Sequence, residues 1–195
     1  MLKGIDVSEN NGYVDWSAIK AAGIDFAIIR LGYGNNHLDS AFYRNVNSAA
    51  EAGLKIGVYY YSYALDAEAA KHEARFVAAV LNDAGLLQHM LAMGIWFDIE
   101  DADGYKANHG MPTNQIITDM CSAFICELNS NGYWCGIYAS YDWLRNRIDT
   151  KQLADYVPYW CAQWGNQCDW PDARMWQYTD SYNIDGQMFD GNVAY

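Results

Sequence analysis

The sequence predicts an α/β domain in which eight strands close into a barrel that is irregular in its last third. Five apolar runs, typical of strands buried on both faces, alternate with five stretches that carry helix start and stop signals. After about residue 157 the pattern changes to three strand-like runs with no helix of any length between them. Five βα units followed by three short strands, (β/α)5(β)3, give the strand count of a single irregular TIM-like barrel.

Each βα unit is recognised from an apolar run and the helix signal that follows it. Phe26–Leu31 is the clearest run. Asp15 and Thr113 are the expected N-caps of two helices, and Asp66 is expected to start a third. The predicted strands are residues 3–8, 26–31, 55–63, 94–101 and 134–138, and the helices are about residues 15–22, 40–52, 66–82, 112–131 and 141–156. The three short strands are expected at residues 158–163, 175–179 and 188–190. No repeat, linker or low-complexity segment interrupts this pattern, so we expect one domain over residues 1–195.

Composition and charge exclude several classes of protein. With 195 residues, 52% of them hydrophobic, the chain is long enough to bury a substantial core and is not expected to be disordered. Its formal net charge of −12 argues against nucleic acid or an anionic membrane surface as the principal partner. No apolar segment reaches the length of a membrane span, so we expect no membrane insertion. We also expect a monomer that needs no cofactor.

The cysteines and histidines show no metal-binding pattern. The five cysteines include no Cys-x-x-Cys pair, and the four histidines have no ligand spacing, so we expect no metal site. The cysteines are expected to be reduced packing residues. A local bridge between Cys161 and Cys168 is the alternative.

Two acids end the fourth predicted strand. The apolar run Ile95–Phe97 is followed by Asp98 and Glu100, whose side chains point the same way because successive side chains of a strand alternate. Their Cα atoms then lie about 6.6 Å apart. This spacing suits two carboxyl groups that straddle one bond of a sugar chain. The alternative is that the chain simply leaves the core here and enters a polar loop.

The carboxyl ends of the strands of a βα barrel converge, and this mouth is where active sites form. Asp6 of the first strand and Asp190 of the last are expected to join Asp98 and Glu100 there. Clustered, buried carboxyls raise one another's pKa, and glycoside cleavage requires one acid kept protonated beside others kept ionised. The other residues expected at the mouth are Arg30, Tyr61, Tyr63, Tyr138, Gln163, Trp176 and Gln177.

Three expectations within this set are more specific. Arg30 is expected to hold acids in place as an ion-pair partner more than to bind substrate. Tyr61 and Tyr63 are expected to line a cleft, and Trp176 to form a wall of the site. By contrast, Asp101 and Asp103 are expected only to solvate a loop.

Motifs along the whole chain resemble those of glycoside hydrolase family 25, the Chalaropsis-type lysozymes or muramidases. The motifs are Gly4–Ser8 with Gly12–Trp16, Ile28–Gly34, Gly57–Tyr63, Trp96–Glu100, Gly136–Tyr138, Trp176–Tyr178 and Asp190–Asn192. The resemblance implies an N-acetylmuramidase that hydrolyses the β-1,4 bond between N-acetylmuramic acid and N-acetylglucosamine in peptidoglycan. In it Glu100 matches the general acid, and Asp98, Asp6 and Asp190 match the other acids. Asn10-Asn11 stands where a His or Gln is frequent in relatives, which leaves the substrate contacts of that loop open.

The resemblance also implies a mechanism and a place of action. The family is similar to enzymes proposed to use the substrate's N-acetyl oxygen as nucleophile, and Asp98 would then orient and stabilise that group. Direct attack by water is the alternative route. A chitinase-like hydrolase and a non-catalytic cell-wall glycan-binding module are the alternative functions. Met1-Leu2-Lys3 leads straight into the first strand, so no signal peptide is expected, which fits a phage lysin or a trimmed secreted enzyme acting on the bacterial wall.

Overall fold

Eight strands close into a barrel in the structure, a computed structural model that describes residues 1–195. The strands are β1 (Leu2–Val7), β2 (Phe26–Tyr33), β3 (His37–Leu38), β4 (Lys55–Tyr61), β5 (Ile95–Asp98), β6 (Cys135–Ser140), β7 (Tyr159–Ala162), β8 (Ala173–Ile184) and β9 (Gln187–Ala194). Their order is β1-β9-β8-β7-β6-β5-β4-β2, and β2 closes the barrel on β1. The short β3 lies outside the barrel as a hairpin partner of β2.

Helices cover the outside of the barrel, and none of them is long and apolar enough to cross a membrane. They are α1 (Trp16–Ala21), α2 (Phe42–Glu51), α3 (Ala67–Asp83), α4 (Tyr105–Asn108), α5 (Asn114–Ser130) and α6 (Tyr141–Asn146). The expected caps Asp15 and Thr113 are confirmed, because each side chain accepts a hydrogen bond from a main-chain N–H of the first turn. Asp66, which was expected to start its helix, caps α3 in the same way. Five βα units precede the last three barrel strands, so the predicted fold class is confirmed.

The last third of the chain differs from the prediction in detail. The expected short strands at 175–179 and 188–190 are wrong in length, because β8 and β9 form a long antiparallel hairpin. Asp185 and Gly186, both with positive φ, make its turn, as an Asp-Gly pair favours. The helix expected to reach residue 156 ends at Asn146. The segment that follows is an irregular connection, because it buries the side chains of Ile148 and Leu153 in the core.

Large and small residues alternate to fill the barrel interior near its amino end. The interior cluster consists of Phe26, Ile28, Trp96, Tyr138, Trp160, Met175 and Ala194. Gly4 makes room for Phe26, since a Cβ at Gly4 would lie 2.2 Å from the ring. Gly136 makes room for Trp96 in the same way, at 2.6 Å. This plug closes one end of the barrel and leaves buried polar side chains to occupy the other end.

Candidate active site

The structure brings together the four acids expected at the carboxyl end of the barrel. Asp98 is the last residue of β5, and Glu100 follows two residues later. Asp6 of β1 lies directly opposite Asp190 of β9 in the antiparallel ladder. Asp190 therefore reaches the mouth from the middle of a strand that runs in the opposite direction to its neighbours. The charge of Asp190 raises the pKa of Asp6 and of Glu100, and the charges of Glu100 and Asp6 raise the pKa of Asp98, so the four acids share one electrostatic site.

Two side-chain amides hold the Asp6 carboxyl. Its Oδ2 accepts hydrogen bonds from Gln177 Nε2 at 3.0 Å and from Asn192 Nδ2 at 2.7 Å. Burial, followed by the charge of Asp190, raises the pKa of Asp6 well above its usual range. Burial also raises the pKa of Asp190, which is less deeply buried. The pair therefore retains a proton more readily than two isolated carboxyls would.

A second row of donors orients these two amides. Tyr138 donates its hydroxyl to Gln177 Oε1 at 3.0 Å, and Trp160 donates its indole N–H to Asn192 Oδ1 at 2.9 Å. Because the oxygen end of each amide is occupied, its nitrogen end points at Asp6. Asn192 and Trp160 are missing from the predicted site. Alternation along β9 is the signal for Asn192, which lies two residues from Asp190 and on the same face.

Asp98 and Glu100 have a contrasting environment. Asp98 is 3% exposed, and its Oδ1 is buried without any hydrogen-bond partner. Burial, and then the charge of Glu100, raises the pKa of Asp98 well above its usual range. Burial also raises the pKa of Glu100 to about 7. The Glu100 carboxyl accepts no hydrogen bond from the protein, so both groups face the mouth without polar partners.

A buried lysine, which is absent from the predicted site, lies behind this pair. Lys106 of α4 is 1% exposed, and its ammonium donates to the main-chain oxygens of Ser62 and Glu100. It lowers the pKa of Asp98 and of Glu100, partly offsetting burial. Asp101 was expected only to solvate the loop, but its carboxyl caps α4 by accepting from Lys106 N at 2.6 Å and Ala107 N at 3.0 Å.

Arg30 is an ion-pair partner of acids, as expected, but the acids are Glu9 and Asp39 rather than the four at the mouth. Its Nε lies 2.7 Å from Asp39 Oδ2, and its Nη2 lies 3.1 Å from Glu9 Oε1. Its guanidinium also lies over the ring of Tyr33, 4.8 Å from the centroid. Glu9 lies just after β1 and Asp39 just after β3, so Arg30 organises the rim of the mouth rather than its centre.

A groove of about 420 Å³ runs beside the acids along this rim. Its lining includes Arg30, Tyr33, Tyr61, Tyr63 and Asp103. Tyr61, the last residue of β4, and Tyr63, two residues beyond it, therefore both lie in a cleft, as expected. Both donate their hydroxyls to the Asp103 carboxylate, Tyr63 at 2.5 Å and Tyr61 at 3.2 Å. The expectation that Asp103 only solvates a loop is thus wrong, because it fixes the two rings.

Comparison with known proteins gives the site its context. The family model for glycosyl hydrolases family 25 matches residues 5–187. The chain belongs to this family. Membership confirms the expected class of protein, a glycoside hydrolase, and the family resemblance on which that expectation rested.

Several family 25 relatives are similar along the whole chain. Lysozyme M1 of Streptomyces globisporus is 26% identical, over 99% of this chain and 69% of that protein. The autolytic lysozyme of Clostridium acetobutylicum is 26% identical, over 95% of this chain and 52% of that protein. The modular autolysin LytC of Streptococcus pneumoniae, solved with a synthetic peptidoglycan ligand, superposes with a TM-score of 0.86 at 25% identity. The chain covers 46% of LytC, so it spans about half the length of the two autolytic relatives.

The remaining predicted site residues fall into two groups within this family 25 barrel. Tyr138 and Gln177 are buried beneath the acids, where they support Asp6. Gln163 and Trp176 instead make their contacts around the β7–β8 loop. Both ends of the Gln163 amide bond to Asp169, and the Trp176 indole donates to the Gln163 main-chain oxygen at 2.7 Å. Trp176 lies on the face of β8 opposite Gln177, so alternation separates two residues that the sequence analysis grouped together.

Trp164 has a stronger geometric link to the acids than Trp176 has. Its indole N–H lies 3.3 Å from Gln177 Oε1, while 62% of the residue remains exposed. An exposed indole at the edge of a polar mouth offers an apolar face to a sugar ring. No group of three or more His, Cys, Asp or Glu side chains is arranged to hold a metal ion. All five cysteines, including Cys161 and Cys168, are free thiols.

Proposed function

We propose that the protein is an N-acetylmuramidase that hydrolyses the β-1,4 bond between N-acetylmuramic acid and N-acetylglucosamine in bacterial peptidoglycan. The observation that carries the proposal is the pair of partnerless carboxyls, Asp98 and Glu100, at the end of β5. It is supported by relatives named lysozyme and N,O-diacetylmuramidase, the latter 24% identical over 98% of this chain. The place of action is the bacterial cell wall, in keeping with relatives named autolytic lysozyme and endolysin.

Glu100 is the proposed general acid. With burial raising its pKa to about 7, a large share of Glu100 is protonated at neutral pH. Because no protein group accepts or donates at this carboxyl, its proton is available to the oxygen of the bond being cleaved. As that oxygen takes the proton, it leaves with the bonding electrons, and the anomeric carbon develops positive charge.

Asp98 is the proposed orienting residue. Its buried, unpartnered Oδ1 is a free acceptor for the N–H of a substrate acetamido group. An acetamido group held in this way can turn its own oxygen toward the anomeric carbon, and its attack would replace the leaving group. Water then opens the resulting ring with Glu100, now ionised, accepting the proton. This sequence retains the anomeric configuration, whereas direct attack by water inverts it.

Asp6 and Asp190 complete the proposed catalytic set in a supporting role. Asp6 accepts two amide hydrogen bonds at its Oδ2, whereas Asp190 is only partly buried. We assign Asp190 to the sugar-facing side of this pair and Asp6 to its back. The groove lined by Arg30, Tyr61 and Tyr63 is the proposed seat for neighbouring sugar rings, because tyrosine combines an apolar face with a polar tip.

Digestion of purified bacterial cell wall tests the proposal. We expect new reducing ends on N-acetylmuramic acid, with the anomeric configuration of the fresh product retained by NMR. Reducing ends on N-acetylglucosamine would contradict the assigned bond. Rapid cleavage of chitin oligomers that contain no muramic acid would favour a chitinase-like hydrolase. Wall binding without any turnover would identify a glycan-binding module.

A further inference from the structure

Lys106 is an unusual buried charge. Its side chain is 1% exposed, yet no carboxylate lies within 4 Å of its ammonium. The only acceptors it bonds are two main-chain oxygens, those of Ser62 and of Glu100, the latter at 2.8 Å. Burying an ammonium costs several kcal/mol unless nearby charges and dipoles compensate it. The compensating charges are first Glu73 of α3 and then Asp98, Asp101 and Asp103, which indicates that the cation and these acids form one unit.

The two main-chain oxygens that Lys106 binds lie just beyond the ends of two neighbouring strands. Ser62 directly follows β4 and Glu100 follows β5, and these strands are parallel neighbours in the barrel. The ammonium thus joins the carboxyl ends of both strands behind the mouth. Asp101 closes the loop by accepting main-chain hydrogen bonds from the first turn of α4, including that of Lys106 itself. The main chain of Glu100 is therefore fixed from both sides.

Lys106 is also the cation that most affects the acid pair. It is the largest influence lowering the pKa of Glu100, and it lowers the pKa of Asp98 more than Arg30 does. Arg30 is occupied by Glu9 and Asp39 on the rim. The groups that face Lys106 from the elements packed around it are Glu73 of α3, Tyr61 of β4, Asp98 of β5, Asp101 and Asp103 of the following loop, and Cys121 of α5.

We propose that Lys106 is the positioning residue of this active site, which holds the Glu100 main chain in place and supplies the positive charge that sets the working pH of Asp98 and Glu100. It touches neither substrate nor reacting atoms, and it acts through the two acids. The pH consequence rests on the proposed function, whereas the charge of Lys106 and its effect on Glu100 do not.

The pH profile of wall hydrolysis by Lys106→Met tests the electrostatic part. Without the cation, the pKa values of Glu100 and Asp98 both rise, so Glu100 keeps its proton to higher pH and Asp98 loses its proton later. Both limbs of the kcat/KM profile should move upward by about one pH unit, since a charge within a few ångströms shifts a pKa by about one to three units. A uniform loss of activity with unmoved limbs would overturn the proposal, because a purely structural clamp gives that result.

Two matched variants sharpen this test. Lys106→Arg keeps the charge and should return both limbs to their wild-type positions. Arg30→Met removes a cation that is paired with Glu9 and Asp39 and lowers the pKa of Asp98 less than Lys106 does, so it should move the limbs less than Lys106→Met, whatever it does to KM. Limbs that shift with Arg30→Met but not with Lys106→Met would assign the electrostatic role to Arg30 and contradict the proposal.

Direct NMR observation of the wild-type protein keeps the proposal falsifiable if Lys106→Met does not fold. Burial lowers the pKa of Lys106, while Glu73 and Asp98 oppose that shift. The ¹⁵N signal of its side chain should report a protected ammonium throughout the pH range of activity. A neutral amine below pH 7 would overturn the proposal. Because this reading needs no substrate, it separates failure of the charge assignment from failure of the muramidase assignment.

Discussion

Two pairs of carboxyls share the mouth of this barrel, and their surroundings are opposite. In the pair of Asp6 and Asp190, the deeper member accepts two amide hydrogen bonds, and each amide is oriented by an aromatic donor. In the pair of Asp98 and Glu100, one buried oxygen has no partner and the other carboxyl bonds to no protein group. The second pair is supported only through the main chain, where the Lys106 ammonium donates to the oxygens of Ser62 and Glu100.

This contrast separates structural from reactive acids. A buried polar group that already has all its hydrogen bonds contributes to a rigid floor. A buried group without them costs stability, and such groups are retained where a ligand or a reaction supplies the missing partner. The two pairs lie at the mouth of the same barrel. Replacing a carboxyl by an amide is nevertheless expected to have different effects in the two pairs.

The largest effect should come from Glu100→Gln. The amide has nearly the shape of the carboxyl but cannot donate the acid's proton, so turnover of cell wall should fall by at least about 10²-fold. Thermal unfolding should show an intact fold. Near-normal turnover would remove Glu100 from the acid role. Asp6→Asn, which alters the hydrogen-bonded pair, is the matched comparison and should lose less.

Asp98→Asn should separate activity from stability. Turnover should fall by about 10²-fold because the amide no longer offers a negatively charged acceptor to the substrate. The thermal midpoint above neutral pH should instead rise, since an unpartnered buried carboxyl is removed. A lower midpoint together with normal activity would show that Asp98 is a structural acid like Asp6.

Asn192→Leu should affect stability more than turnover. It removes one donor to Asp6 and leaves the Trp160 indole N–H without its acceptor, which should cost about 1–3 kcal/mol of unfolding free energy. Urea unfolding measures the loss. Combining it with Trp160→Phe should cost less than the sum of the single changes, because both break the same hydrogen bond. Full additivity would contradict the proposed row of donors.

How far the sequence predicts this site depends on which contacts follow from strand geometry. Asp6, Asp98 and Glu100 reach the mouth as expected, because each lies near or just after the carboxyl end of an easily recognised strand, whereas Asp190 joins them from the middle of β9. Lys106 was missed because α4 has only four residues and follows a polar loop, where no periodicity marks a buried side chain. The ion pairs of Arg30 with Glu9 and Asp39 join separate loops, and no local pattern encodes such contacts.

The length of the β8–β9 hairpin is a second feature that the sequence predicts only in part. Outward-facing polar residues in the middle of β8 interrupt the apolar run, so the expected strand stopped at residue 179 although the ladder continues to Ile184. The Asp185-Gly186 turn signal is visible in the sequence, but only pairing with β9 reveals the length of both strands. Register also decided the position of Asp190 opposite Asp6, which composition and spacing leave undetermined.

A carboxyl ¹³C NMR titration of the 195-residue chain tests the contrast between the two pairs of carboxyls most directly. Burial without hydrogen-bond partners should give Glu100 a midpoint of about 7, and the alkaline limb of wall hydrolysis should follow that midpoint. The raised pKa of Glu100 also makes stability depend on pH, because the folded protein binds this proton more tightly than the unfolded chain does. The contribution of Glu100 to the free energy of unfolding should therefore decrease as pH rises from 4.5 to about 7. Glu100→Gln should abolish that decrease. A Glu100 midpoint near 4.5, with an alkaline limb unrelated to it, would contradict its assignment as the proton donor.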